Sequence, residues 1–253
     1  MNKETRSKFI LKQLDKAESI SLKEITAKFN VSEITARRDL ASLESRGLLI
    51  RTHGGAIRTS NVANLFSFEK KLIENGDKKD AICRLASTFV EENDTIYMDC
   101  GTTVYYMAKY LTGFRNLRVI TNSLPVVSEL IHFINIKVYL IGGELDNESK
   151  ALYGPMTDNL ISRYKADKAF IGAGGVSLEH GLSSANEKNA SVTIKMAEAA
   201  RKVFLLVDST KIEQDSYFTY SGLSLITYLI TDKSVPTDLI DKYRSRNINI
   251  ITT

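Results

Sequence analysis

The 253-residue chain has no tryptophan, three prolines, two cysteines and three histidines. Two cysteines, Cys83 and Cys100, make neither a disulfide framework nor a zinc site. So little proline, with only fourteen glycines, excludes collagen-like and proline-rich linker chains. No apolar run approaches the ~18 residues that a membrane span needs. The opening, MNKETRSKFILKQLDK, lacks the continuous apolar core and small-residue cleavage site of a secretory signal. The expectation is a soluble cytoplasmic protein with no membrane partner. What is present is an ordinary globular balance, 43% hydrophobic and 25% charged, in a chain long enough for about two domains.

The formal net charge is +4, and it is unevenly placed. Residues 1–58 hold twelve basic and seven acidic side chains; the remainder holds 22 and 23. A basic module fused to a near-neutral domain suggests a polyanion at one end only. Charge alone favours a solvated basic face without a ligand, so the pattern within those residues decides.

Three helical stretches precede residue 47. Phe9, Ile10 and Leu14 give the first an apolar face. The second, LKEITAKF, buries Leu22 and Ile25, with Ser21 and Glu24 spaced as a capping box. After the turn Asn30-Val31-Ser32, Ser32 has the chemistry of an N-cap for the third, SEITARRDLASLESRG. At 100° per residue Ala36, Leu40 and Leu43 fall within about 60° and form the buried stripe. The other side carries Ile34, Arg38, Ala41 and Ser45, flanked by Thr35 and Arg37. Arginines near a helix N-terminus oppose the macrodipole unless an anion lies against them. Two helices and a tight turn, the second offering Thr and Arg early, match helix-turn-helix docking into a major groove. LLIRTHGGAIR then reads as a hairpin wing, the Gly54-Gly55 pair permitting positive φ. Arg51, His53 and Arg58 lie on it. The candidate DNA contacts are therefore Ser32, Thr35, Arg37, Arg38, Arg51 and His53.

This segment, VSEITARRDLASLESRGLLIRTHGGA, resembles the N-terminal signature of the DeoR family of bacterial transcriptional regulators. The resemblance implies that Thr35, Arg37 and Arg38 recognise DNA. The family usually has Ile or Val where Ala36 stands here.

Residues 59–67, TSNVANLFS, are polar and without clear period, and the chain turns helical again from about Phe68. The domains expected are a winged helix-turn-helix at 1–58, a linker at 59–74 and an α/β domain at 75–253. In the last, seven apolar runs (TIYMD, LRVIT, KVYLIG, KAFIGA, KVFLLVD, LITYLIT and NINIIT) alternate with helical patterns such as TVYYMAKYL and NASVTIKMAEAA. That alternation predicts a mostly parallel sheet covered by helices, with ligands outside the carboxyl ends of its strands. Five of those strands run directly into polar or glycine-bearing segments: Cys100-Gly101-Thr102-Thr103, Asn122-Ser123, Gly142-Gly143-Glu144, Gly172 with Gly174 and Gly175, and Asp208-Ser209-Thr210-Lys211. Singly these are turns and helix starts. Together they suit a small polar anion such as a phosphorylated sugar, with N–H groups and Lys211 for phosphate and Asp208 for hydroxyls. GAGGVSLEHG does not have the spacing of a dinucleotide fingerprint. No catalytic residue, metal or cofactor is expected.

The segments DCGTT, TNS, IGGE, DKAFIGAGGV, DSTK and ITD also resemble the DeoR effector domain. The resemblance implies a ribose-5-phosphate isomerase or CoA-transferase-like fold and a sugar-phosphate effector. Its pocket would use Asp99, Gly101, Thr102, Thr103, Thr121, Asn122, Gly142, Gly143, Asp208 and Lys211. Lys71 stands where the family's arginine is expected, keeping the charge but losing the bidentate fork. Glu187 either contacts the effector or favours its helix dipole, and Cys100 reads as a small buried residue. The expected function is a sequence-specific DNA-binding regulator, most simply a repressor of carbohydrate genes acting as a homodimer or higher oligomer on operator DNA. The alternative is a sugar-phosphate isomerase or transferase, with Asp99, Asp208 and Glu187 as available bases.

Overall fold

The computed structural model describes residues 3–17, 19–44, 48–52, 54–58 and 68–253. They form two compact units, residues 1–70 and 71–253. Among the described residues no helix is long and apolar enough to cross a membrane.

The first unit runs α1 (Lys3–Ala17), β1 (Ser19–Ser21), α2 (Leu22–Phe29), α3 (Glu33–Glu44), β2 (Leu49–Thr52) and β3 (Gly55–Arg58). The three strands form an antiparallel sheet in the order β1-β3-β2. Ser21 caps α2 through a complete capping box: its hydroxyl accepts from the Glu24 N–H, and its own N–H donates to the Glu24 carboxylate. Asn30 ends α2 in the left-handed region (φ 48°), a conformation its short amide tolerates, and so turns the chain into α3. Ile10, Leu14, Ile25, Ala36, Leu40, Leu43 and Leu49 make the core. Ala36 is fully buried, so the lighter side chain still serves the packed stripe.

Two features were not legible in the sequence. Strand β1 pairs with the wing and completes the sheet. Gly55 is needed there for close approach and not for a positive φ, since a Cβ would come within 2.0 Å of the Ile20 carbonyl oxygen. The other feature is a buried ion pair. Arg6 of α1 grips Asp39 of α3 in two parallel bonds, Nε to Oδ2 at 2.6 Å and Nη2 to Oδ1 at 3.2 Å. The aspartate directly after the two arginines thus ties α3 to α1.

The expected linker lies at 59–74. Residues 59–67 are outside the described residues, and Phe68–Ile73 form a helix, α4. The second unit continues with α5 (Gly76–Ser87), β4 (Thr95–Met98), α6 (Thr102–Tyr105), β5 (Leu117–Thr121), α7 (Leu124–Leu130) and β6 (Ile136–Leu140). Next come β7 (Glu144–Asp146), β8 (Ala151–Tyr153), α8 (Pro155–Arg163), β9 (Ala166–Ile171), β10 (Gly175–Ser177) and β11 (Gly181–Ser184). The last elements are α9 (Glu187–Glu198), β12 (Ala200–Leu206), β13 (Phe218–Ser221), β14 (Tyr228–Thr231), α10 (Thr237–Ser245) and β15 (Ile250–Thr252).

Seven strands form one parallel sheet, ordered β15-β14-β12-β9-β4-β5-β6. These are the seven apolar runs. Their side chains alternate between two cores: Ile96, Met98, Phe204 and Leu206 face one, Tyr97, Val203 and Leu205 the other. Strand order reverses between β4 and β9, which makes the carboxyl ends of these two strands the switch point of the sheet. The antiparallel pieces β7-β8 and β10-β11-β13 escaped the sequence reading because runs of three or four residues show no periodicity. The expected helix TVYYMAKYL is broken, α6 giving way to a 3-10 turn at Ala108–Tyr110.

Candidate functional site

In the first unit the expected DNA contacts gather at the start of α3 and on β2. Ser32 Oγ accepts from the Thr35 N–H at 3.3 Å and lies 3.1 Å from the Thr35 hydroxyl, so the two residues cap the helix together. Arg37 is more than half exposed and reaches Glu33 at 3.5 Å. Arg38 is exposed and makes no ion pair among the described residues. Such exposed pairs contribute little to stability and leave both guanidinium groups available to an incoming phosphate or base edge. Arg51 is engaged otherwise. Its Nε donates to Glu44 Oε2 at 2.5 Å and its backbone N–H to Oε1 at 3.1 Å, fastening the wing to the end of α3. The hydrogen bonds from the Arg51 N–H and guanidinium hold the Glu44 carboxyl below its usual range. His53 lies outside the described residues.

In the second unit the predicted residues sort into two groups. Thr102, Asp208 and Lys211 come together with residues of α4 and α5. Lys79 of α5 is buried; its ammonium donates to the Lys71 carbonyl and, at 3.2 Å, to Thr102 Oγ1. Asn75, just before α5, donates to Asp208 Oδ1 at 3.4 Å and to Thr210 Oγ1 at 3.5 Å. Lys78 reaches Ser209 Oγ at 2.7 Å and Asp232 at 3.4 Å. Burial lowers the Lys79 ammonium below the usual lysine range against the pull of Asp208 and Glu74, with Lys211 and Lys71 adding repulsion. Burial lowers Lys71 too, and Lys211 lowers it further. Burial is the main cause for both Lys71 and Lys79, and a bound anion would offset it by favouring their charged forms.

Asp99, Thr121, Asn122, Gly142 and Gly143 are placed differently. Asp99 is 1% exposed. Its carboxylate accepts from the Cys100 N–H at 2.7 Å, the Gly172 N–H at 3.2 Å and the Thr193 hydroxyl at 3.3 Å. Burial raises its carboxyl above the usual range, although these donors oppose the shift. The residue shapes the loops after β4 and β9, and Gly101 packs there against the Gly172 backbone. Thr121 accepts from the Ser123 N–H, and Asn122 donates to the Leu152 carbonyl at 2.9 Å. The Gly142 carbonyl accepts from Thr157. Gly143 has no room for a side chain: a Cβ would fall 2.2 Å from Thr157 Oγ1 and 2.5 Å from the Tyr153 carbonyl oxygen. Asn122, Gly142 and Gly143 thus lie against β8 and α8, away from the group around Lys79 and Thr102.

Thr103 is buried, and its carbonyl accepts from the Cys83 thiol. Cys100 is buried against Tyr153 and Asn189, and burial pushes its thiol well up. Glu187 is exposed in the first turn of α9, where Asn186 supplies the cap. The expected phosphate-binding dipole is slight, because α6 has only four residues. The positive charge beside this loop is therefore that of lysine side chains.

Two buried side-chain polar atoms among the described residues have no partner, Asn122 Oδ1 and Thr231 Oγ1. Both lie at carboxyl ends of strands, on the rim where the sheet is expected to take its ligand. Sequence reasoning missed Asn75, Lys78 and Lys79. The signal was there: two lysines in the first turn of α5, opposed to its dipole as Arg37 and Arg38 are to that of α3.

These observations define the protein as a winged helix-turn-helix module joined to an α/β unit with lysines gathered at its strand ends. Family comparisons agree along the chain. Residues 6–62 match the family described as DeoR-like helix-turn-helix domain, and residues 74–233 match the DeoR C terminal sensor domain. The chain is 35% identical to the HTH-type transcriptional repressor GlcR of Bacillus subtilis (strain 168), over all of this chain and 97% of that protein. It is also 35% identical to the lactose phosphotransferase system repressor of Staphylococcus epidermidis, covering 92% of this chain and 94% of that one. The ribose 5-phosphate isomerase A of Methanocaldococcus jannaschii superposes with a TM-score of 0.41 at 18% identity over 55% of each chain. The chain belongs to the DeoR family of DNA-binding transcriptional regulators. The isomerase or transferase alternative fails on this ground: the relatives of nearly full length are named as regulators.

Proposed function

We propose that this protein represses genes of carbohydrate use and that a phosphorylated sugar at the carboxyl ends of β4 and β12 releases it from its operator. The observation that carries this reading is the meeting of Lys71, Lys79 and Lys211 beside Thr102 and Asp208. A phosphate would take the ammonium groups, and Asp208 would take sugar hydroxyls. Gly101, Thr103, Thr121, Gly142, Gly143 and Asp99 shape the surrounding loops. GlcR and the lactose phosphotransferase system repressor, both named repressors, support the sign of regulation.

On the DNA side, Ser32, Thr35, Arg37 and Arg38 present α3 to a major groove, with residues 59–74 as the connection between the domains. Two copies would read a two-fold operator with half-sites about 34 Å apart or a multiple of it. The free edge strand β6, with Tyr139 and Leu140 exposed, offers an apolar surface for their association. The coupling needed between sites is about 1–3 kcal/mol.

A thermal-shift panel of sugar phosphates, the free sugars and inorganic phosphate tests the sensor. One sugar phosphate should raise the melting temperature and release operator DNA, and its unphosphorylated sugar should do neither. A panel without any such compound, or release unaffected by Lys211→Ala, would reject the site.

A further inference from the structure

Ile34 is the one large apolar side chain exposed among the described residues of the first unit, at 67%. It is the second residue of α3, immediately before Thr35. Ile34, Arg37, Arg38 and Ala41 stand at i, i+3, i+4 and i+7, so the isoleucine shares the cationic face and sits opposite the buried stripe of Ala36, Leu40 and Leu43. It packs in none of the unit's core. A β-branched side chain at an exposed helical position also gains nothing from helix propensity. The fold therefore does not account for it.

We infer that Ile34 reads the 5-methyl group of a thymine in the major groove, and so sets sequence preference beside the arginines. This rests on α3 being the reading helix. Among the base edges of that groove, thymine alone offers an apolar group, whereas guanine offers the acceptor pair that arginine takes bidentately. Four residues of helix advance about 6 Å, under two base-pair steps of about 3.4 Å. The thymine read by Ile34 lies within two steps of a guanine read by Arg38.

Duplexes selected by the full chain from a randomised pool supply the operator. Each thymine is replaced in turn by deoxyuridine, which removes only the methyl group, and affinity is followed by fluorescence anisotropy at fixed salt. One thymine per half-site, within two steps of a guanine, should lose about fourfold in affinity, the value of one buried methyl. Ile34→Ala should lose a similar factor on the unmodified duplex and become insensitive to deoxyuridine at that position alone. Wild-type affinity in Ile34→Ala, or an unaltered deoxyuridine profile, overturns the assignment. Arg38→Ala keeps the two levels apart. If it weakens binding while Ile34→Ala changes nothing, the Ile34 assignment alone fails. If neither variant weakens binding, α3 is not the reading helix. Because Ile34 is exposed, its variant should melt with the wild type.

Discussion

The two units use positive charge in opposite ways. On α3, Arg37 and Arg38 stand in solvent, with at most an i, i+4 ion pair to Glu33 among the described residues. Around the loop after β4, Lys79 is buried and Lys71 half-buried, and the lysines repel one another. Exposed charges suit a long polyanion that arrives with its own counterions and is read by salt-dependent contacts. Buried charges suit a small anion, because desolvation makes each ion–ion contact stronger and makes the empty site unfavourable. One chain thus carries exposed arginines on one unit and desolvated lysines on the other.

A third arrangement, the buried Arg6–Asp39 pair, marks where charge is purely architectural. Asp39→Ala should produce the largest effect, about 3–5 kcal/mol lost from the first unit, because the substitution takes the bidentate carboxylate away from the buried Arg6 guanidinium. Denaturant unfolding of Asp39→Ala against the paired Arg6→Met/Asp39→Leu variant sharpens this: the double variant should recover most of the loss. If Asp39→Ala unfolds as wild type, the pair is not structural. Next in size, Arg38→Ala should weaken operator binding by about 1–3 kcal/mol while leaving the melting temperature and the sugar-phosphate response intact. An equal loss of effector response would break the division between the units.

The lysine cluster makes a pH prediction of opposite sign to an ordinary ion pair. The folded lysines hold their protons less tightly than the unfolded chain does, so ligand-free stability should rise with pH from the depressed values toward the usual lysine range. Bound phosphate favours the charged form, so binding should take up protons and weaken over that same interval. Calorimetry in buffers of different ionisation enthalpy measures the uptake, and Lys79→Met should diminish it. Uptake unchanged in that variant would remove Lys79 from the site. The smallest effect is local: Ser21→Ala should cost about 1 kcal/mol through loss of the capping box on α2.

Periodicity made much of this molecule legible. The stripe Ala36-Leu40-Leu43 comes from a spacing of 3.6 and the seven parallel strands from short apolar runs between helical stretches, patterns that burial imposes directly on the sequence. The capping box at Ser21 and Glu24 was equally plain, because both partners lie within one turn. Lys79 was not legible in the same way: it meets Thr102 across 23 residues. Arg6 and Asp39 meet across 33. Nor did the sequence show that Asp99 would be consumed by loop N–H groups or that Arg51 would turn to Glu44.

Local chemistry in the chain alone determined the elements, their order, the cationic face of α3 and the polar character of the strand ends, since each depends on neighbours within a turn or an alternation. The tertiary structure alone decided which charges are paired, which are buried, and which strand-end residues face one another. Those outcomes depend on desolvation and on contacts between distant segments, and both exist only once the chain has closed on itself.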